Sequence, residues 1–168
     1  MNFRFGIITD THIMPKKVDQ SSPFKVNGLA NKRAKYATSL LSSFKQDFTI
    51  HLGDVVHPLP TLPTYKSACL EAKKILKPLS LKMHFVPGNH DIGDKLHNAS
   101  PAGPLDKSTI KLYEDHFGPS WHIFVHKGVV MITINSSLVN SGLEEEKIQR
   151  NWLEKQLQKN KKKRIFLF

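Results

Sequence analysis

Three short apolar runs in the first half of the chain each stop at a cluster of Asp, His or Asn. Phe5–Gly6–Ile7–Ile8 leads into Asp10–Thr11–His12, and Phe48–Thr49–Ile50 leads into Gly53–Asp54. Met83–His84–Phe85–Val86 leads into Pro87–Gly88–Asn89–His90–Asp91. Runs this short, with β-branched and aromatic residues, predict strands over about 3–9, 48–52 and 81–86. A strand that ends on oxygen and imidazole donors directs them out of the sheet's carboxyl edge, where α/β folds hold their ligands. Between the runs lie two helical stripes: Ala30, Ala34, Ala37, Leu41 and Phe44 within 28–46, then Tyr65, Cys69, Ala72, Leu76 and Leu79. The strand–helix–strand–helix–strand order predicts parallel pairing through crossover helices. Three neighbouring edges with such donors predict one shared metal site.

The remainder continues as α/β. Residues 13–27 and 92–106 read as long loops punctuated by Pro and Gly, and His57–Pro63 carries three prolines that exclude regular helix or central strand. Thr109–Phe117 predicts a short helix. Trp121–Val125 and Val129–Ile134 flank His126–Lys127–Gly128 as a hairpin. Leu143–Asn160 predicts a helix with Glu144, Glu145 and Glu146 in its first turn, complementing the helix dipole. Ile165–Phe168 starts a further strand. We expect a single domain over 1–168, interrupted before its final segments.

Composition narrows the partners. Lys and Arg number 25 against 14 Asp and Glu, a formal charge of +11. That charge is dispersed, except for Lys159–Arg164, which lacks the interleaved aromatics of a single-strand nucleic-acid surface. Nucleic acid is therefore a possible partner but not the favoured one. Cys69 is the only cysteine, which excludes an intramolecular disulfide. No run is long enough to span a membrane, and a strand beginning near Phe3 leaves no room for a secretory leader. The expected setting is cytoplasmic.

Two adjacent hard cations need oxygen-rich ligands, a few imidazoles and one carboxylate between them. Asp10 and His12 can reach one ion, Asp54 can give an oxygen to each, and Asn89 offers a neutral carbonyl oxygen. His90 follows directly, with Asp91 beside it to orient the ring. This set resembles the calcineurin-like metallophosphoesterase superfamily, whose pattern is D-x-H, then G-D, then G-N-H-[DE]. It is most similar to the branch of calcineurin-like phosphoesterase-domain-containing phosphatases, on the G-N-H-D-I-G-D-K extension and the Asn135–Ser136–Ser137 strand end.

The resemblance implies a four-layer α/β/β/α sandwich, with its C-terminal part missing, around two metal ions (Mn, Fe or Zn). Asp10, His12 and Asp54 would bind the first ion, and Asp54 and Asn89 the second. The implied reaction is in-line attack on phosphorus by a hydroxide that the two ions activate. His90 would act as the catalytic imidazole and Asp91 would orient it. The family's later lone His and G-H-x-H motif do not occur in these residues, so the second ion is expected to bind poorly. His57, Lys95 and His97 are weaker substrate-binding candidates. The expected activity is a phosphomonoesterase on a phosphorylated small molecule or phosphoprotein. The alternatives are a phosphodiesterase or nuclease of the same superfamily, or a non-catalytic scaffold.

Overall fold

A computed structural model describes residues 2–16, 25–95 and 102–168. The first three strands are β1 (Phe5–Ile8), β2 (Phe48–His51) and β3 (Met83–Phe85). They form a parallel sheet in the order β1-β2-β3, with Phe5 opposite Phe48 and Thr49 opposite Met83. The crossovers are α1 (Ala30–Ser43) and α2 (Tyr65–Leu76). Their apolar stripes bury Ala34, Tyr65, Ala68, Cys69, Ala72, Ile75 and Leu76 together with Val55 and Val56. Burial of that stripe, rather than helix propensity, holds α1 in place.

The observed elements are shorter than expected for identifiable reasons. Residues 25–29 form a 3₁₀ turn ahead of α1. At its other end the Ser42 and Ser43 hydroxyls donate back to the Ser39 and Leu40 carbonyls, and Lys45 takes a left-handed φ of 49°. Pro78 opens a second 3₁₀ turn over Lys77–Lys82, which takes Leu81 and Lys82 out of the expected strand.

After β3 come α3 (Asn89–Ile92), a single turn where a loop was expected, and α4 (Lys107–Phe117). The helix α4 begins two residues earlier than its periodicity predicts, because Asp106 accepts the Thr109 N–H at 2.9 Å as an N-cap. The second sheet joins β4 (His122–His126), β5 (Val129–Thr133) and β6 (Ile165–Leu167) in that order. The pair β4–β5 is antiparallel about the two-residue turn Lys127–Gly128, with φ values of 46° and 80°, and β6 is parallel to β5. The crossover is α5 (Glu144–Lys159), whose Gln149 amide bonds both the Asn135 N–H and C=O at 2.7 and 3.0 Å.

Phe48, Ile50 and Val86 of the first sheet meet Met131 of the second, flanked by Phe3, Phe5, Phe124, Val129 and Phe168. The layers are therefore helix, sheet, sheet and helix, as the resemblance implies. At one end of the sheet interface Asp47 accepts from Lys127 Nζ at 2.7 Å, His126 Nε2 at 3.1 Å and Arg4 N–H at 3.1 Å. At the other lie the carboxyl ends of β1, β2 and β3.

Candidate metal centre

Beyond Ile8 and His51 the first two strands stop being regular but stay bonded. Asp10 N–H donates to Gly53 C=O at 3.0 Å, His12 N–H to Asp54 C=O at 3.0 Å, and Ile13 N–H to Val55 C=O at 2.9 Å. Asp10, His12 and Asp54 hold left-handed φ values of 52°, 42° and 52°. For residues other than glycine this conformation costs of order 1 kcal/mol or more each, and it tends to gather at functional sites. The glycines next to these residues are required by contact. A Cβ on Gly53 would stand 2.6 Å from the Gly88 nitrogen, and one on Gly88 would collide with the Asp54 backbone and carboxylate. That approach seats the third strand's turn on the second.

The bend brings donor atoms together. One ligand atom each from Asp10, His12 and Asp54 lie within 4.8 Å of one another. His12 Nε2 is 3.6 Å from Asp54 Oδ2 and 3.8 Å from Asp10 Oδ1, while Asp54 Oδ1 accepts the His90 N–H at 3.0 Å. Burial holds the His12 imidazole below its ordinary range against the pull of Asp54 and Asp10, and His90 adds to the lowering. The ring is neutral at pH 7, the form that ligates metal. Its buried Nδ1 has no hydrogen-bond partner among the described residues. Two carboxylates, an imidazole and the Asn89 amide on one rim are a donor set that suits Mn²⁺, Fe or Zn²⁺. Asn89 lines a cleft of about 380 Å³ with Asp10, Asp54, Asp94, Ser136 and Ser137.

Beneath the cleft the polar groups are fully engaged. Thr11 Oγ1 donates to Val55 C=O at 2.9 Å, so at 2.9 Å from His51 Nε2 it can only accept; His51 Nδ1 then accepts from Gly53 N–H at 3.3 Å. The Nε2–H tautomer follows. Burial pushes the His51 ring down to about 3, which keeps it neutral. Asp91 is wholly buried, and its carboxylate accepts the Gly88 N–H at 2.9 Å, the Val55 N–H at 3.0 Å and the Val56 N–H at 3.3 Å. Burial raises its carboxyl to about 7, opposed by those amide bonds and helped by neighbouring Asp54.

This corrects one expectation. Asp91 does not orient His90; the His90 Nδ1 instead lies 2.7 Å from the His57 carbonyl oxygen. Asp91 ties the Gly53–Val56 loop to the Gly88 turn. His57 does face the site, since its ring lies 5.7 Å from His12 and 5.4 Å from His90 between centroids. Lys95 is engaged at the rim: its Nζ donates to the Val139 carbonyl at 3.0 Å and to that of Ser136 at 3.5 Å. His97 lies outside the described residues. Asp94, Ser136 and Ser137, which carried the resemblance but were not named as site residues, lie on the cleft wall. The last two were detectable, since Val129–Ile134 is another apolar run ending on Asn and Ser.

A family model for calcineurin-like phosphoesterases matches residues 3–168. The chain belongs to the calcineurin-like phosphoesterase family. The D-x-H, G-D and G-N-H-D motifs that suggested it are the three strand ends that meet at the cleft. The fold resembles that of a purple acid phosphatase from yellow lupin (Lupinus luteus) seeds, with 15% identity, a TM-score of 0.55, and 90% of this chain covering 26% of that one. It also resembles a dimetal phosphatase from Danio rerio, with 15% identity, a TM-score of 0.53, and 93% of this chain covering 51% of that one. The chain thus spans about a quarter and about half of these two proteins. No curated protein is similar enough to count as a relative. No helix among the described residues is long and apolar enough to cross a membrane.

Proposed function

We propose that this chain forms the metal-holding part of a phosphate-ester hydrolase that prefers monoesters. The observation that carries this reading is the convergence of Asp10, His12 and Asp54 on one another, with Asp10 and Asp54 lining the cleft that Asn89 shares. Asp10, His12 and Asp54 would hold one ion, and Asp54 with Asn89 a second. When bound, such ions supply Lewis acidity and a nucleophile at neutral pH. Asp54 would serve both ions; its Oδ1 accepts the His90 amide and its Oδ2 faces His12. His90 commits Nδ1–H to a carbonyl, which leaves Nε2 to hold a proton for the departing oxygen. Asp91 keeps Asp54 and Asn89 in register.

Support for a monoester comes from the cleft. Its lining carries Asp10, Asp54 and Asp94 in a cleft of about 380 Å³, which suits a phosphate on a small group better than a long polyanion. A phosphorylated small molecule or a phosphoprotein side chain fits better than nucleic acid. The buried lone thiol of Cys69 agrees with a cytoplasmic setting.

The test is hydrolysis of an aryl phosphate monoester and a matching diester with Mn²⁺, Fe or Zn²⁺. Monoester turnover should dominate, change little with salt, and fall at least about a hundredfold in Asp54→Asn. Faster diester turnover that declines steeply with salt would reverse the preference, and no turnover on either would end the proposal. In a calorimetric Mn²⁺ titration, one equivalent should bind more tightly than the next, since the second ion has only two of these donors.

A further inference from the structure

His57 belongs to none of the three strand-end motifs, yet its ring completes a triangle with His12 and His90. One nitrogen from each ring lies within 4.8 Å of the others. The ring centroids are separated by 4.7 Å for His12–His90, 5.4 Å for His57–His90 and 5.7 Å for His12–His57. With a Zn–N bond of about 2.0–2.1 Å, three imidazoles around a tetrahedral ion have centroids about 5.2 Å apart. The observed separations bracket that value. His90 is already arranged as ligating histidines are, with one ring nitrogen on a backbone carbonyl at 2.7 Å and the other left to bind.

We propose that His12, His57 and His90 form an all-imidazole site for a borderline cation such as Zn²⁺, overlapping the carboxylate-rich set at His12 so that the two fillings exclude each other. Donor chemistry separates the two sets. Three imidazoles select Zn²⁺, Cu²⁺ or Ni²⁺, whereas Asp10, Asp54 and the Asn89 amide favour harder ions such as Mn²⁺. A neutral imidazole has a single free lone pair, so His12 serves one set at a time. Zn²⁺ on the imidazole set would also occupy His90, removing the nitrogen that handles the proton. The imidazole site stands without the phosphoester reading, and only the mutual exclusion rests on the carboxylate set.

The test is titration of the intact protein with Zn²⁺, Mn²⁺ and, for its visible spectrum, Co²⁺. His57→Ala should weaken Zn²⁺ binding at least tenfold, leave Mn²⁺ affinity within twofold, and lose the intense d–d bands that Co²⁺ gives in the unsubstituted protein. Saturating Zn²⁺ should weaken Mn²⁺ binding at least tenfold. A measurement on the unsubstituted protein covers the case in which His57→Ala misfolds. One equivalent of Zn²⁺ should shift the ring ¹⁵N resonances of His12, His57 and His90 together. Unmoved His57 and His90 resonances, undiminished Zn²⁺ binding in a folded His57→Ala, or additive binding of Zn²⁺ and Mn²⁺ would overturn the proposal.

Discussion

Thr11, His51 and Asp91, beneath the cleft, expose 8%, 0% and 0% of their surfaces, and every side-chain polar atom among them has a partner. At the mouth, Asp10 is exposed, Asp54, His57 and His90 are half-buried, and the buried His12 Nδ1 has no hydrogen-bond partner among the described residues. The same residue types are thus put to opposite uses within one set of loops. A buried polar group costs stability unless it is bonded, so the floor contributes structure only because its network is complete. The mouth has donor capacity to spare, and that spare capacity is what a ligand can use. Asp54 and Asp91 make the contrast plainest, since both are carboxylates beside the Gly88 turn.

Substituting these two should separate the roles. Asp91→Ala removes the acceptor of three backbone amides, and each buried donor left unpaired costs about 1–3 kcal/mol. We expect a loss of about 3–5 kcal/mol and a fall in Tm of about 10 °C or more, read by thermal and urea unfolding. Asp91→Asn keeps one acceptor and should fall in between. Asp54→Asn retains an oxygen for the His90 amide and should leave Tm within about 2 °C while Mn²⁺ binding weakens at least about tenfold. If Asp54→Asn destabilises as much as Asp91→Ala, the division between floor and mouth is wrong. A smaller effect is expected at His51. His51→Leu strands the Gly53 N–H, and about 1–3 kcal/mol should be lost with Mn²⁺ affinity nearly intact.

The mouth was far more legible in the sequence than the floor. Asp10, His12, Asp54 and Asn89 stand where apolar runs end, and that pattern survives folding because strand ends in a parallel sheet share one edge. The fold was legible for the same reason: hydrophobic period determines which face of each element is buried. The Asp91 carboxylate was read as a partner for His90 because it follows it in sequence. In a one-turn helix, however, neighbouring side chains diverge, and Asp91 points into the loops while His90 turns to the His57 carbonyl. Lys95 was a substrate-binding candidate, and two carbonyls across the rim hold it, a contact with no local signature. His51 lies inside a strand, the place where a satisfied core histidine is expected. Its partner Thr11, 40 residues away, follows only from the register of β1 on β2, whereas the Gly53 N–H reaches it from two residues on in the same strand end.

The smallest effect concerns the interface between the sheets, where a second pair of histidines is satisfied like the floor but can be titrated. His84 Nδ1 lies 2.9 Å from His122 Nε2, and His84 stacks on Phe124 with ring centroids 3.6 Å apart. Burial, then the adjacent His122, pushes the His84 ring down to about 4, and burial lowers His122 as well. An imidazole with a depressed folded pKa is protonated first in the unfolded chain. Unfolding therefore takes up protons between about pH 6.5 and 4, and stability falls as pH falls through that window. Because the pair is only part-buried, the loss should be on the order of 1–2 kcal/mol rather than the full shift. His84→Phe keeps the stack on Phe124 and should flatten only the interface's share of the decline, because His51, pushed down to about 3, loses stability through the same window and Asp91, raised to about 7, opposes it. The check is Tm measured from pH 7 to pH 4 without metal, so that ligand protonation at the mouth adds no binding term. An unchanged slope in His84→Phe would move the acid sensitivity from the sheet interface to the loops of the cleft, where the floor would then have to be the part that yields.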